Sequence, residues 1–516
     1  MPKILFLLNS EFGQANVFMA IGHALQALVP DVELHIISFE PIRPEVEKAS
    51  EQSLQNVKQL HGIQAKPWKL HTLSGRSWTE SIMDVNTNNY LGGILESRPS
   101  FSTVIALYRN INRFLLPWEG PIFVQFYNEI VKVVEEVQPD MAVVESLFTI
   151  GLTACRKLGL KHVILSPNTL KEFASVLQPW GAFFWKYPIL GTGIPFPIPF
   201  HLIPLNIVYA IISMWYTLTD PRAREIAKYV GKELGTELVT MGTLMLSPLP
   251  GQKILSATRP ELDFPLAKIP EHIFPCGPII RPVKPVAELD PELATWLARG
   301  PTVLICLGTH RYFEEDEAVE MAMAIKHLLD MWEDDDEIGG IRGKLQVLWK
   351  LKKPAKSDLF VGGEDYSTGP GSHVYSLLAG PIQDDRLRIV DWIKPQPMAV
   401  LLTGQVVCSV NHGGANSFNE AVIAGVPQVV LPAWLDCYDF GSRAEVLGIG
   451  IWGSKTSAPR CVSKELGLAL VEVVVGRRAD EMRKKAKELA ALCAESSGEQ
   501  VAARYILDVL EGKKDR

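Results

Sequence analysis

A histidine, two glycines, an Asn-Ser pair and a glutamate fall within ten residues at 411–420, NHGGANSFNE. They follow an apolar run, QVVCSV (405–410), and precede a helical pattern carried by Phe418, Ala421 and Val422 and stopped by Gly425 and Pro427. A strand, a Gly-Gly turn and a helix start make an anion site. The first N–H groups of a helix have no intrahelical partner, and the helix dipole is positive there. Asn416 and Ser417 stand where a helix cap would, so capping is part of their expected work. His412 can donate to a phosphate oxygen, and Glu420, one turn further on, can accept from two sugar hydroxyls. The ligand this chemistry fits is a nucleotide diphosphate, with its phosphates on His412, the amides of Gly413 and Gly414, and Ser417, and its ribose on Glu420.

The same stretch resembles the donor-binding signature of the UDP-sugar glycosyltransferases (glycosyltransferase family one). The matching positions are His412, Gly413, Gly414, Asn416, Ser417, Glu420, Gly425, Val426, Pro427, Pro432 and Asp436. The resemblance implies an α/β chain of GT-B fold, two Rossmann-like doubly wound domains facing each other across a cleft. It implies inverting transfer of a sugar from a UDP-sugar to a hydroxyl or carboxyl of a small lipophilic acceptor, with no metal and no further cofactor, as in the soluble secondary-metabolite enzymes. LGTHR (307–311) resembles the family's strand-end Gly-Ser pair, with Thr309 in place of serine and its hydroxyl expected on the β-phosphate. DWIKPQ (391–396) resembles the family's Trp-x-Pro-Gln, which implies Trp392 stacked on the base and Gln396 fixing the nucleoside. The spacing is one residue longer here, which leaves open whether both residues keep those roles. In PAWLDCYDF (432–440), Asp436 matches the acid that holds the sugar hydroxyls, while Cys437 replaces a glutamine. A thiol is a weak hydrogen-bonding group, so the sugar stays open between glucose, xylose and a deoxysugar.

In the family, a histidine after the first strand deprotonates the acceptor and an aspartate at the end of a later strand orients it. Here SEFGQANVF (10–18) keeps Gly13 and Asn16 but has Gln14 in the histidine's place, and Glu145 in VVES (143–146) stands for the aspartate. Glutamine does not accept a proton at neutral pH. Three readings remain: Glu11 or Glu145 as a base raised in pKa by burial, an acceptor acidic enough to need none, or a catalytically impaired nucleotide-sugar-binding protein. Segment 170–217, rich in Trp, Phe and Pro, is expected to line an apolar pocket for a terpenoid, polyketide, sterol or phenol.

The scaffold for these residues must be large. At 516 residues, 47% hydrophobic and 21% charged, the chain is globular with two or more domains. A net charge of −7 with dispersed basic residues gives a nucleic-acid partner no support. Seven cysteines without metal-ligand or disulfide spacing fit a reducing, cytoplasmic setting. Strands are expected at 3–9, 32–39, 141–146, 162–167, 244–248 and 273–279, with helices at 15–29 and up to Leu158. In the second half, 302–309, 345–351, 387–392, 406–410 and 428–432 read as parallel strands, with a helix over 314–331. The expected division is 1–277, a Pro-rich linker at 278–298, a nucleotide-sugar domain at 299–495 and a terminal helix in 496–516. By resemblance, that last helix packs back on the first domain. Two polar, Gly-rich loops, 333–343 and 361–373, read as mobile insertions, and EDDDE (333–337) as a solvated acidic cap.

The opening MPKILFLLNS reads as a first strand, its apolar run too short for a signal peptide, and EGKKDR carries no apolar anchor. The apolar stretch 194–218 is least interrupted over Ile207–Trp215, far short of the ~20 residues of a membrane span. It is expected to be loop and helix of the acceptor domain. Peripheral membrane contact through 179–217 is the alternative.

Overall fold

The computed structural model describes residues 1–82, 97–309, 311–332, 337–354 and 365–513. In the first half, β1 (Lys3–Leu7), β2 (Glu33–Ser38), β3 (Lys69–Thr72), β4 (Met141–Glu145), β5 (His162–Ser166), β6 (Ile254–Ser256) and β7 (Ile273–Pro275) form a parallel sheet in the order 3-2-1-4-5-6-7. β8 (Thr302–Cys306) opens the second half. β9 (Glu337–Ile338) and β10 (Ile341–Arg342) pair only with each other. β11 (Gln346–Lys350), β12 (Leu387–Val390), β13 (Val406–Asn411), β14 (Gln428–Val430) and β15 (Gly450–Trp452) join β8 in the parallel order 12-11-8-13-14-15. Strands such as KILFL and TVLIC are apolar after their first residue because helices cover both faces of a parallel sheet.

Among the helices are α1 (Phe12–Leu28), α2 (Phe101–Leu115), α3 (Leu170–Ala174), α4 (Ile203–Thr219) and α5 (Pro221–Leu234) in the first half. In the second half they are α6 (Glu315–Asp330), α7 (Ala415–Ile423), α8 (Cys437–Val446), α9 (Ala479–Ala494) and α10 (Gly498–Leu510). Each sheet reverses its strand order once, between β1 and β4 and between β8 and β13. In open α/β sheets, the crevice at the carboxyl ends of such a pair is where ligands bind. The end of β1 leads to Glu11, β4 ends on Glu145, β8 leads to Thr309 and β13 to His412. The chain closes with α10 on the first half: Ala502, Ala503 and Ile506 share a core with Val17, Phe18 and Ile21 of α1. Tyr505 meets Phe274 with ring centroids 4.6 Å apart.

Three expectations about elements need correction. LMLSP (244–248) is not a strand: Thr240 caps a short helix, Met241–Leu246, through a capping box with Thr243, and the strand that pairs with β5 is β6. The 333–343 loop carries the β9–β10 hairpin, and its acidic residues 333–336 lie outside the described residues. In the 361–373 loop, Tyr366 donates to the Phe313 carbonyl at 2.9 Å and packs on the second core, so its described part is anchored.

Candidate active site

The donor half starts where β8 and β13 end. Gly308 has φ of 82°, and a Cβ there would lie 2.7 Å from His412 Cε1, so the β8 loop and the imidazole meet only because this residue is glycine. Gly413 also has positive φ, 79°, and its α-carbon faces the Cys437 carbonyl oxygen. Asn411 ties the turn together: its Oδ1 accepts from Gly413 N at 2.9 Å and its Nδ2 donates to Gln428 Oε1 at 2.9 Å. α7 starts at Ala415 with Gly414 as its cap residue and no side chain capping it. Asn416 and Ser417 therefore lie inside the first turn, which corrects their reading as caps. The cap glycine leaves the first-turn N–H groups open to an anion. Asn416 Nδ2 instead reaches the other half of the molecule and donates to Gly13 O at 3.1 Å. Glu420, one turn on, has no hydrogen-bond partner among the described residues, and burial pushes its carboxyl up to about 8.

β12 ends at Val390, and Trp392 and Gln396 flank the loop that follows it, which absorbs the extra residue. Trp392 is 66% exposed, which rules out a core role, and Lys350 Nζ sits 4.1 Å from its ring centroid. Gln396 takes the cap position of the short helix Pro397–Leu401 without using its side chain. Two lysines that no sequence motif singles out also belong to the site. Lys350 is buried at the end of β11 and donates to Gly308 O at 3.2 Å; Lys352 donates to Thr309 O at 2.9 Å and Tyr312 Oη at 2.8 Å. They back the β8 loop with positive charge, and the signal was KLKK (350–353) at the end of an apolar strand.

Asp436 and Cys437 begin α8. The thiol is buried and burial pushes its pKa up, so it is sealed from the cleft, and the expected sugar contact at Cys437 is withdrawn. Asp436 is partly exposed. Burial and the neighbouring Glu172 of α3 both push its carboxyl up, so an acid from each half faces the same place. Leu435 precedes it with φ of 35°, a backbone strained for a residue with a Cβ. Its side chain packs with Leu107, Ile189 and Tyr209, so the expected apolar lining around 170–217 also includes this donor-side turn.

In the acceptor half, Asn9 donates through N to Glu145 Oε2 at 2.6 Å and through Nδ2 to Oε1 at 3.1 Å. Glu145 is fully buried, and burial pushes it up to about 8. With both oxygens held and no exposure, it is out of an acceptor's reach, which corrects its candidacy as a direct base. Glu11 differs. Its Oε1 accepts from Thr79 N at 2.9 Å and Thr79 Oγ1 at 2.6 Å, while Oε2 is buried without a partner among the described residues. Burial raises its pKa. One helical turn along, Gln14 Oε1 is likewise buried without a partner. Two unsatisfied buried oxygens at one helix start are costly unless something donates to them.

Charges that no motif announced join the halves. Lys171 Nζ meets Asp439 Oδ2 at 2.7 Å. Arg443, buried between Phe264 and Phe440, donates to Asp263 Oδ1 at 2.8 Å and Thr169 Oγ1 at 3.0 Å.

Residues 380–505 match the family model described as "Erythromycin biosynthesis protein CIII-like, C-terminal domain". The chain is 30% identical over 554 aligned positions to "Glycosyltransferase sdnJ" of Sordaria araneosa, covering 100% of this chain and 99% of that one. Among solved structures, a UDP-glucosyltransferase from Polygonum tinctorium superposes with a TM-score of 0.61 at 14% identity, over 100% of this chain and 99% of that one. The glycotransferase of kitacinnamycin gives 0.59 at 14% identity, over 99% and 100%. The fold agrees with these neighbours. With the full-length relative, it establishes that the chain belongs to the UDP-glycosyltransferases of glycosyltransferase family one and is a glycosyltransferase of GT-B fold.

Proposed function

We propose that the protein transfers a glycosyl group from a UDP-sugar to a hydroxyl of a small lipophilic acceptor, with inversion and without a metal ion. The observation that carries this reading is the meeting of the two switch points, where Asn416 of the anion turn bonds the backbone of Gly13, between Glu11 and Gln14. The acceptor O–H donates to Glu11 Oε2, and the oxygen attacks the anomeric carbon as the bond to the diphosphate oxygen breaks. The proton passes to Glu11 and the electron pair leaves with UDP. One displacement inverts the carbon. Charge growing on the leaving phosphate is met by the open N–H groups of α7, His412, Ser417 and the Thr309 hydroxyl, which take the part a divalent cation plays elsewhere. Trp392 offers its ring to uracil and Gln396 its amide, and Glu420 accepts from the ribose. With Cys437 sealed, Asp436 is the polar side chain left for the sugar from this turn, which favours a donor with fewer hydroxyls, xylose or a deoxysugar, over glucose. A panel of UDP-sugars and lipophilic alcohols, read by UDP release and product mass, tests the reading. UDP binding without release for any pair would leave a binding protein instead.

Uridine, which carries no phosphate to titrate, isolates the ribose contact. Ribose hydroxyls favour the ionised form of Glu420, so uridine affinity is expected to rise as pH increases toward about 8. Glu420→Gln should weaken uridine binding roughly 10- to 100-fold at pH 8.5, the worth of hydrogen bonds to a charged group. Calorimetry of the variant should also show a flat pH dependence.

A further inference from the structure

α4 is built inside out. Its buried residues, Asn206, Tyr209, Ala210 and Ser213, form one helical face, while Val208, Ile211, Met214, Trp215 and Leu218 are exposed. A surface helix ordinarily turns its apolar stripe inward. Here the inner polar groups are satisfied, which fixes the rotation. Asn206 Oδ1 accepts from Ile189 N at 3.1 Å, its Nδ2 donates to the carbonyls of Phe184 and Tyr187 at 2.9 Å, and Ser213 Oγ donates to Ala210 O at 2.8 Å. Two neighbours extend the apolar surface. Phe200, just before α4, is 92% exposed, and so is Trp180, in the turn before the short helix whose Phe183 and Phe184 pack in the α4 cluster. Exposed apolar surface of this kind marks a docking site.

The charge around it points to one occupant. From Phe173 to Thr219 there is no Asp or Glu, although the chain holds 58 of them in 516 residues. α2, packed on α4, carries Arg109 and Arg113 and no acid. Arg109 lies over the Tyr216 ring at 5.7 Å, and Arg224 at the start of α5 donates to Leu218 O at 3.2 Å. Phe200–Leu234 has the length and composition of a membrane span, but Asp220 caps a separate, charged helix, α5, after the 17 residues of α4. A short helix with a polar inner face lies along a surface rather than through it.

We infer that the outer face of α4, with Phe200 and Trp180, docks the protein on an anionic phospholipid surface. The apolar side chains enter the interface and the exposed Arg109 and Arg224 face the headgroups. The reading does not depend on the donor or the chemistry. It gives the acceptor a route, since the inner side of the same helix shares its cluster with Leu435, next to Asp436.

The full chain is mixed with vesicles of phosphatidylcholine alone or with phosphatidylserine and sedimented. Binding to the mixed vesicles is expected, weakened by salt, with tryptophan emission moving to the blue. The double variant Phe200→Ser/Trp215→Ser should lose at least about tenfold in vesicle partition, as the removal of two large apolar anchors requires. Its UDP binding should be unchanged. Wild type left in the supernatant with both vesicles, or a variant that partitions as well as wild type, overturns the proposal. So does lipid-free self-association that the double variant abolishes, which would assign the face to a second copy of the chain.

Discussion

Glu11→Gln is expected to lower kcat/KM for an alcohol acceptor by about 10²–10⁴, the span associated with losing a general base. The amide keeps the bonds from Thr79 to one oxygen but takes no proton from the acceptor. Binding of the UDP-sugar should be little changed, because Glu11 lies at the end of β1 and the nucleotide residues at β8 and β13. An acidic phenol, which needs less help to lose its proton, should show a much smaller loss. Burial raises Glu11, and burial also holds the neighbouring Glu145 at about 8. A base works ionised, so kcat/KM for the alcohol should climb with pH and level off above the ordinary carboxylate range. Glu145→Gln should not produce the large fall in that plateau, since Glu145 is buried out of the acceptor's reach. An initial-rate series across pH with both acceptors checks all of this, and an alcohol rate untouched by Glu11→Gln would remove Glu11 from the chemistry.

Asp263→Ala is expected to destabilise the protein by about 3–5 kcal/mol, because it removes the carboxylate hydrogen-bonded to the buried Arg443 guanidinium. Arg443 is 1% exposed and its partner sits in the other half of the chain, so the penalty falls on the joint between the domains. Replacing both residues, Asp263→Leu with Arg443→Met, should cost far less, since two charges then stay out of the interior. Urea midpoints of the three proteins decide it. A single variant as stable as wild type would mean that water or rearrangement reaches Arg443.

Much of the donor half was legible because it is local. A strand, a glycine pair and a helix start lie within a dozen residues, and each type has one evident use there. The strands β1, β4, β5, β8, β11 and β13 were legible as unbroken apolar runs. The misses share a physical cause. β3, with the sequence KLHT, is an edge strand paired on one side, so it carries no apolar signature. Met241–Leu246 is apolar enough for a strand, and only the capping box turns it into a helix. Lys350, Lys171, Asp263 and Arg443 gain their meaning from partners up to 274 residues away, which spacing along the chain does not reveal. Whether Glu145 or Glu11 meets the acceptor likewise turns on depth, not residue type.

The seating of α10 on α1 bears on how the molecule is made. Val17 and Ile21 bury themselves partly against Ala502 and Ile506, so the first half completes its core only when the last helix emerges. At about 5–20 residues per second, synthesis of the intervening second half keeps that apolar surface waiting for on the order of tens of seconds. The nascent first domain thus leaves that face of α1 uncovered through the interval. Stop codons that remove α10 should deplete the protein from the cell even where every residue of the cleft remains.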